Sequence, residues 1–101
     1  MAVREIRHPS ASELDLVSIL RTVGDPVRLE IVRLLSDDEE RTCTAVGDTV
    51  GLPASTLSYH LRMLREAGVT RTRAEGTERH ISLRREDLEQ AYPGLLGVIT
   101  G

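Results

Sequence analysis

Tryptophan, phenylalanine and lysine are missing from this 101-residue chain, and cysteine occurs once. With Tyr59 and Tyr92 as its only aromatics, the core must be built from Leu, Val, Ile and Ala. An aliphatic interior is marginal at this size and gains from self-association. The lone Cys43 excludes an internal disulfide and any zinc site made from paired cysteines, and fits a reducing compartment. No run approaches the roughly 18 apolar residues of a membrane span. The N-terminus, with Arg4, Glu5, Arg7 and His8, lacks the apolar centre of a signal peptide, so a cytoplasmic location without a membrane partner is expected. No nucleophile, base and orienter form a recognisable pattern, and so short a chain has little room for a deep pocket. Neither an enzyme nor a cofactor is expected.

What is present is unevenly distributed. The formal net charge of −3 argues against a nucleic-acid partner until it is resolved along the chain. Residues 1–53 carry six arginines against ten acids, and residues 86–101 carry three acids and no base. Residues 54–85 hold seven arginines against Glu66, Glu75 and Glu78. Because charge acts over about 10 Å at moderate salt, the sign of this middle segment matters more than the total. Every strong base is Arg, whose planar fork suits phosphate or guanine, although a GC-rich genome would produce the same bias.

Residues 1–11 read as a flexible arm and residues 12–101 as one domain. Ser12, with Asp15 three residues on, predicts a capped first helix from Glu13 to Val23. Leu16, Leu20 and Val23 fall on one of its faces, Leu14 and Val17 on another, so it wants two apolar partners. Asp25-Pro26 opens a second helix to about Leu35, apolar around most of its circumference and therefore central. The acidic run Asp37 to Glu40 reads as a solvated turn, since it lacks the turn glycines of an ion cage. Thr42 or Thr44 can cap a short third helix ending at Gly51-Leu52-Pro53. A fourth starts at Ala54 or Ser55, repeats Leu57, Leu61 and Leu64 on one face, and stops at Gly68. Two helices joined by a short Gly-containing turn make a helix-turn-helix. From Val69 the period becomes that of a strand, a turn around Glu75-Gly76, and a second strand to Leu83. A last helical segment, Arg85 to Tyr92, is interrupted by Pro93-Gly94 before Leu95, Leu96, Val98 and Ile99. The expected fold is mainly α, about five helices plus a two-stranded hairpin wing.

Opposite the Leu57, Leu61 and Leu64 stripe, the fourth helix points Ser55, Tyr59, Arg62 and Glu66 outward, with Ser58 at the edge. Short hydroxyls and a guanidinium suit the major groove, where Arg can take guanine bidentately. The hairpin adds Arg71, Arg73 and Arg79, placed to straddle neighbouring phosphates. With Thr56 and Thr77, these residues form the candidate interface to double-stranded DNA.

These motifs resemble the ArsR-type winged-helix repressors, bacterial dimeric sensors that leave DNA when an effector binds. The resemblance lies in Gly24-Asp25-Pro26-Val27-Arg28-Leu29-Glu30-Ile31, in Gly51 to Leu61 with Leu64-Arg65-Glu66-Ala67-Gly68-Val69, and in the hairpin around Glu75-Gly76, in unbroken order over about residues 12 to 92. It implies a homodimer whose interface uses the first helix and the last segment. Leu14, Val17, Tyr92, Leu95, Leu96, Val98 and Ile99 are the residues expected there. A module that docks polymerase or a co-encoded sensor is the alternative function, and an effector or co-regulator protein is a further candidate partner.

The sequence departs from the metal-sensing members. Where many carry Cys-x-Cys at the start of the third helix, this chain has Thr42 and Thr44, with Cys43 between them and out of phase. Hydroxyls are poor ligands for thiophilic metals. The C-terminal segment has no histidine for the alternative site on the final helix, so no metal is expected. His60 reads as a packed, hydrogen-bonded residue, His80 as a surface residue of the wing and His8 as part of the arm. Cys43 reads as a small buried apolar group.

Overall fold

The computed structural model describes residues 6–101; the first five residues of the expected arm lie outside them. The described residues fold into six α-helices and a three-stranded antiparallel sheet. One helix and one strand exceed expectation: the last segment divides in two, and the hairpin gains a third strand.

A 3-10 turn, Ala11–Glu13, precedes the first helix, and its capping box is formed by Ser10 and Glu13, whose Oε1 accepts from Ser10 N at 2.7 Å. Helix α1, Leu16–Val23, starts later than the expected Glu13, because extended Leu14 interrupts the helix and Asp15 becomes its cap, accepting from Ser18 N at 2.9 Å. Its buried residues are Ile19 and Val23. Leu16, Val17 and Leu20 are exposed instead. The pairs Leu16–Leu20 and Ile19–Val23 lie about 60° apart on a helix, and packing decides between them.

Helix α2, Pro26–Leu34, is capped by Asp25 Oδ2, which accepts from Val27 N and Arg28 N, both at 3.0 Å. It runs on into a 3-10 turn at Leu35–Asp37. Ile31, Val32 and Leu35 are fully buried, which makes this the central helix. The acidic run is an exposed turn whose carboxylates find arginines: Asp37 takes Arg41 at two points, and Asp38 takes Arg85.

Strand β1, Arg41–Thr42, is only two residues long and pairs with strand β3, Glu78–Leu83. Helix α3, Cys43–Val50, is capped by Thr42, whose Oγ1 accepts from Ala45 N at 3.1 Å. Helix α4, Ala54–Glu66, buries Leu57, Leu61 and Leu64. Beyond it Gly68 turns the chain with φ +80°, and a Cβ there would collide with the Leu14 side chain and press on Pro9 at 3.3 Å. Strand β2, Thr70–Glu75, returns through Gly76-Thr77 to β3. Only the first turn residue has positive φ, the pattern of a type II′ hairpin turn.

The sheet order is β1-β3-β2, so β2 forms an edge. Helices α5, Arg85–Ala91, and α6, Leu95–Thr100, close the core with Leu88, Leu96 and Ile99. The Tyr92 hydroxyl donates to the Leu14 carbonyl at 3.1 Å, joining the end of α5 to the segment before α1. No helix among the described residues is long and apolar enough to cross a membrane.

Candidate nucleic-acid interface

The face of α4 opposite its leucines is open. Ser55, Thr56, Ser58, Tyr59, Arg62 and Glu66 are all exposed. A shallow depression brings Ser55, Ser58, Tyr59 and Arg62 together, with Arg65 as a fifth lining residue. The Arg62 guanidinium carbon lies 5.9 Å from the centre of the Tyr59 ring, so the ring steadies the cation without neutralising it. Arg62 makes no ion pair among the described residues. Arg65 did not stand out in the sequence because it lies on the flank of the leucine stripe, half-buried.

The helix is held from behind by His60. Its Nδ1 lies 3.2 Å from Arg28 Nη1, which donates, and Arg28 Nε also donates to the Thr22 carbonyl. His60 packs edge-on to Tyr59, the ring planes inclined by 69° and the centres 5.4 Å apart. One histidine thus ties the exposed ring of α4 to the capped start of α2.

The wing arginines divide between two faces. Side chains alternate along a strand, and partners across the ladder share a face. The pairs Thr70 with Leu83 and Thr72 with Ile81 face the core, so Ala74 and Arg79 continue that face toward the tip. Arg71, Arg73 and Glu75, paired with Ser82, His80 and Glu78, occupy the other face. The expected trio is therefore split: Arg79 lies on the side of α4, Arg71 and Arg73 on the far side.

The far side is also where the counter-charges are. Arg73 is held by Glu40 at two points, Nη2 to Oε1 at 2.7 Å and Nε to Oε2 at 3.2 Å, and its Nη1 lies 3.5 Å from Glu75. This contact pulls the Glu40 carboxyl below its usual range and raises the guanidinium. Arg71 lies 3.6 Å from Asp87. His80, expected at the surface, is instead largely covered, between Glu40, Glu75 and Glu78 at 3.6, 3.3 and 3.5 Å. Arg79 is exposed and makes no ion pair among the described residues, and Thr77 sits exposed in the turn.

Residues expected at a subunit interface are also dispersed. Val17 is 59% and Val98 80% exposed. Leu14, Tyr92 and Leu95 pack against the protomer's own core, and Leu96 and Ile99 are buried in it. Leu16 and Leu20, which the sequence groups with Val23 on one face, join Val17 outside.

At the start of α3 the residues do not fit a thiophilic metal. Thr42 spends its hydroxyl oxygen on the helix cap, Thr44 offers another hydroxyl, and burial pushes the Cys43 thiol up.

A family model described as a helix-turn-helix domain matches residues 23–73. The chain is 37% identical over 79 residues to YceK of Bacillus subtilis, an uncharacterized HTH-type transcriptional regulator, covering 77% of this chain and 79% of that one. It is 33% identical over 75 residues to the HTH-type transcriptional regulator KmtR of Mycobacterium tuberculosis, covering 74% of this chain and 57% of KmtR. Among solved structures it is similar to a homodimeric winged helix-turn-helix DNA-binding domain from Mycobacterium bovis, described as a possible ArsR-family regulator. That likeness has a TM-score of 0.70 at 26% identity and covers 83% of this chain and 76% of that one.

Proposed function

The chain belongs to the ArsR-type winged helix-turn-helix transcriptional regulators, and from that premise we propose that two copies grip a pseudo-palindromic operator, one α4 in the major groove of each half-site. The half-site centres then lie about one helical turn, ~34 Å, apart. Members of this family regulate transcription by binding DNA and are not enzymes.

The observation that carries the operator reading is the open face of α4. Ser55, Ser58, Tyr59 and Arg62, which has no ion-pair partner among the described residues, line one depression, with Thr56 exposed beside them. In this reading Arg62 reaches a base edge and the hydroxyls take base edges or phosphates. The wing contributes Arg79 on the same side, with Thr77 exposed in the turn at its tip. Arg71 and Arg73, engaged by Asp87 and by Glu40 and Glu75, supply long-range attraction rather than first contact.

The dimer face proposed is α1, through Leu16, Val17 and Leu20, with Val98 of α6. Large apolar side chains left bare on a protomer with so small a core favour a second copy. The regulatory sense proposed is repression in the cytoplasm. Release from DNA falls to an effector or co-regulator protein, because residues 42 and 44 supply hydroxyls rather than thiolates.

The test is a binding titration on a duplex from the region upstream of the coding sequence, repeated across a salt series. Affinity should fall steeply with salt, and loss of Arg62 together with Arg79 should abolish preference for that duplex. Salt-independent binding that survives the double replacement would sink the reading.

A further inference from the structure

The sheet leaves β2 as an edge, and the N–H of Thr72 points out of the ladder to His8 Nε2, to which it donates at 3.0 Å across 64 residues of sequence. The next residue is fixed as well. The Pro9 carbonyl accepts from buried Arg84 Nη1 at 2.7 Å, and the Pro9 ring lies against Gly68. Residues 8 and 9 therefore form a strap along the base of the wing, in a segment the sequence reads as loose.

An imidazole nitrogen that accepts an N–H must be unprotonated. Adding a proton there sets donor against donor and places a cation among cations. Arg71 of β2, Arg84 ahead of α5 and Arg65 of α4 all act on His8. Arg7, Glu13 and Glu66 also line its hollow, and Asp87 pairs with both Arg84 and Arg71 at 2.9 and 3.6 Å. A backbone hydrogen bond at Ile6 favours the protonated ring and is outweighed. Burial first, and then Arg71, Arg84 and Arg65, push the imidazole below the usual histidine range.

We propose that His8 is a proton-gated latch on the wing: unprotonated, it closes the free edge of β2 at Thr72 and binds the N-terminal segment there; protonated, it releases both. An uncovered edge presents unpaired backbone groups to any strand that can align with it. The latch is closed at neutral pH and opens on acidification. Thr72 lies between Arg71 and Arg73, so the same event frees the strand that carries the far-side charges of the wing.

The test follows the His8 ring and the Thr72 amide of the full chain by NMR from pH 8 to 4.5. Both should titrate with one midpoint below 6.5. Thr72 exchange, corrected for its intrinsic pH dependence, should accelerate about tenfold on the acid side, the loss of roughly one hydrogen bond. In His8→Ala the Thr72 amide should exchange fast at every pH while Ile81 and Leu83 stay protected, which shows that the sheet is intact. His8→Gln keeps an acceptor that does not titrate and should remove the step. The proposal is overturned if Thr72 stays protected while His8 titrates, if His8→Ala leaves Thr72 protected, or if His8 titrates at or above 6.5.

Discussion

Glu40 and Arg73, 33 residues apart in sequence, meet in a two-point ion pair that joins the loop before β1 to the wing. The arginine that composition would assign to a phosphate is thus already occupied. Glu40→Gln should free it, tightening binding to a mixed-sequence duplex and steepening the salt dependence by about one phosphate contact. Arg73→Ala should have little effect alone and a clear one in the Glu40→Gln background. Equal effects in both backgrounds, measured by fluorescence anisotropy, would show that the pair does not restrain the wing.

Arg62 and Arg79 should separate into two kinds of contact. Arg62→Ala should cost roughly 1–3 kcal/mol on the preferred duplex and relax the preference at one base position. Arg79→Ala should weaken all duplexes alike and flatten the salt slope by about one. A binding-site selection run on both variants distinguishes the outcomes.

Asp25 caps α2, and its contact with the Arg28 N–H holds its carboxyl below the usual aspartate range. A depressed carboxyl contributes stability that is present above the unfolded value of about 3.9 and is lost as pH falls through the folded one. Asp25→Ala should cost about 0.5–2 kcal/mol at neutral pH. Asp25→Asn should retain most of the cap while removing this group's share of the acid sensitivity. Urea denaturation at pH 7 and pH 3 reads both.

Gly68→Ala should destabilise by about 1–3 kcal/mol, because a positive φ and the space held by Leu14 both reject a Cβ. In a domain of this length each kcal/mol lowers the melting temperature by about 4–8 °C, which calorimetry resolves.

Leu20→Glu should leave the helical content unchanged and shift the protein toward monomer in sedimentation velocity, since Leu20 is 47% exposed on α1. Ile19→Glu, one residue away and fully buried, should unfold it instead.

The helix-turn-helix and the wing were legible because their periods are long and clean: Leu57, Leu61 and Leu64 fix the hidden side of α4, and hence the outer side of Tyr59 and Arg62. Strand β1 was not, since two residues carry no period. The orientation of α1 was not, since two apolar pairs competed and contact with the rest of the core selected Ile19 and Val23. The split among Arg71, Arg73 and Arg79 depends on ladder register, which becomes definite only once Glu75 is set opposite Glu78. The docking of His8 and Pro9 joins residues more than 60 positions apart and leaves no local signature.

A chain with two tyrosines and no tryptophan also carries a built-in optical probe. The Tyr92 hydroxyl is committed to Leu14 within the fold, whereas the Tyr59 ring stands 49% exposed on α4. Ultraviolet emission that changes when a duplex is added therefore reports on a single ring, at the place where the protein is proposed to meet its target. An unlabelled sample would suffice to follow binding and release in real time.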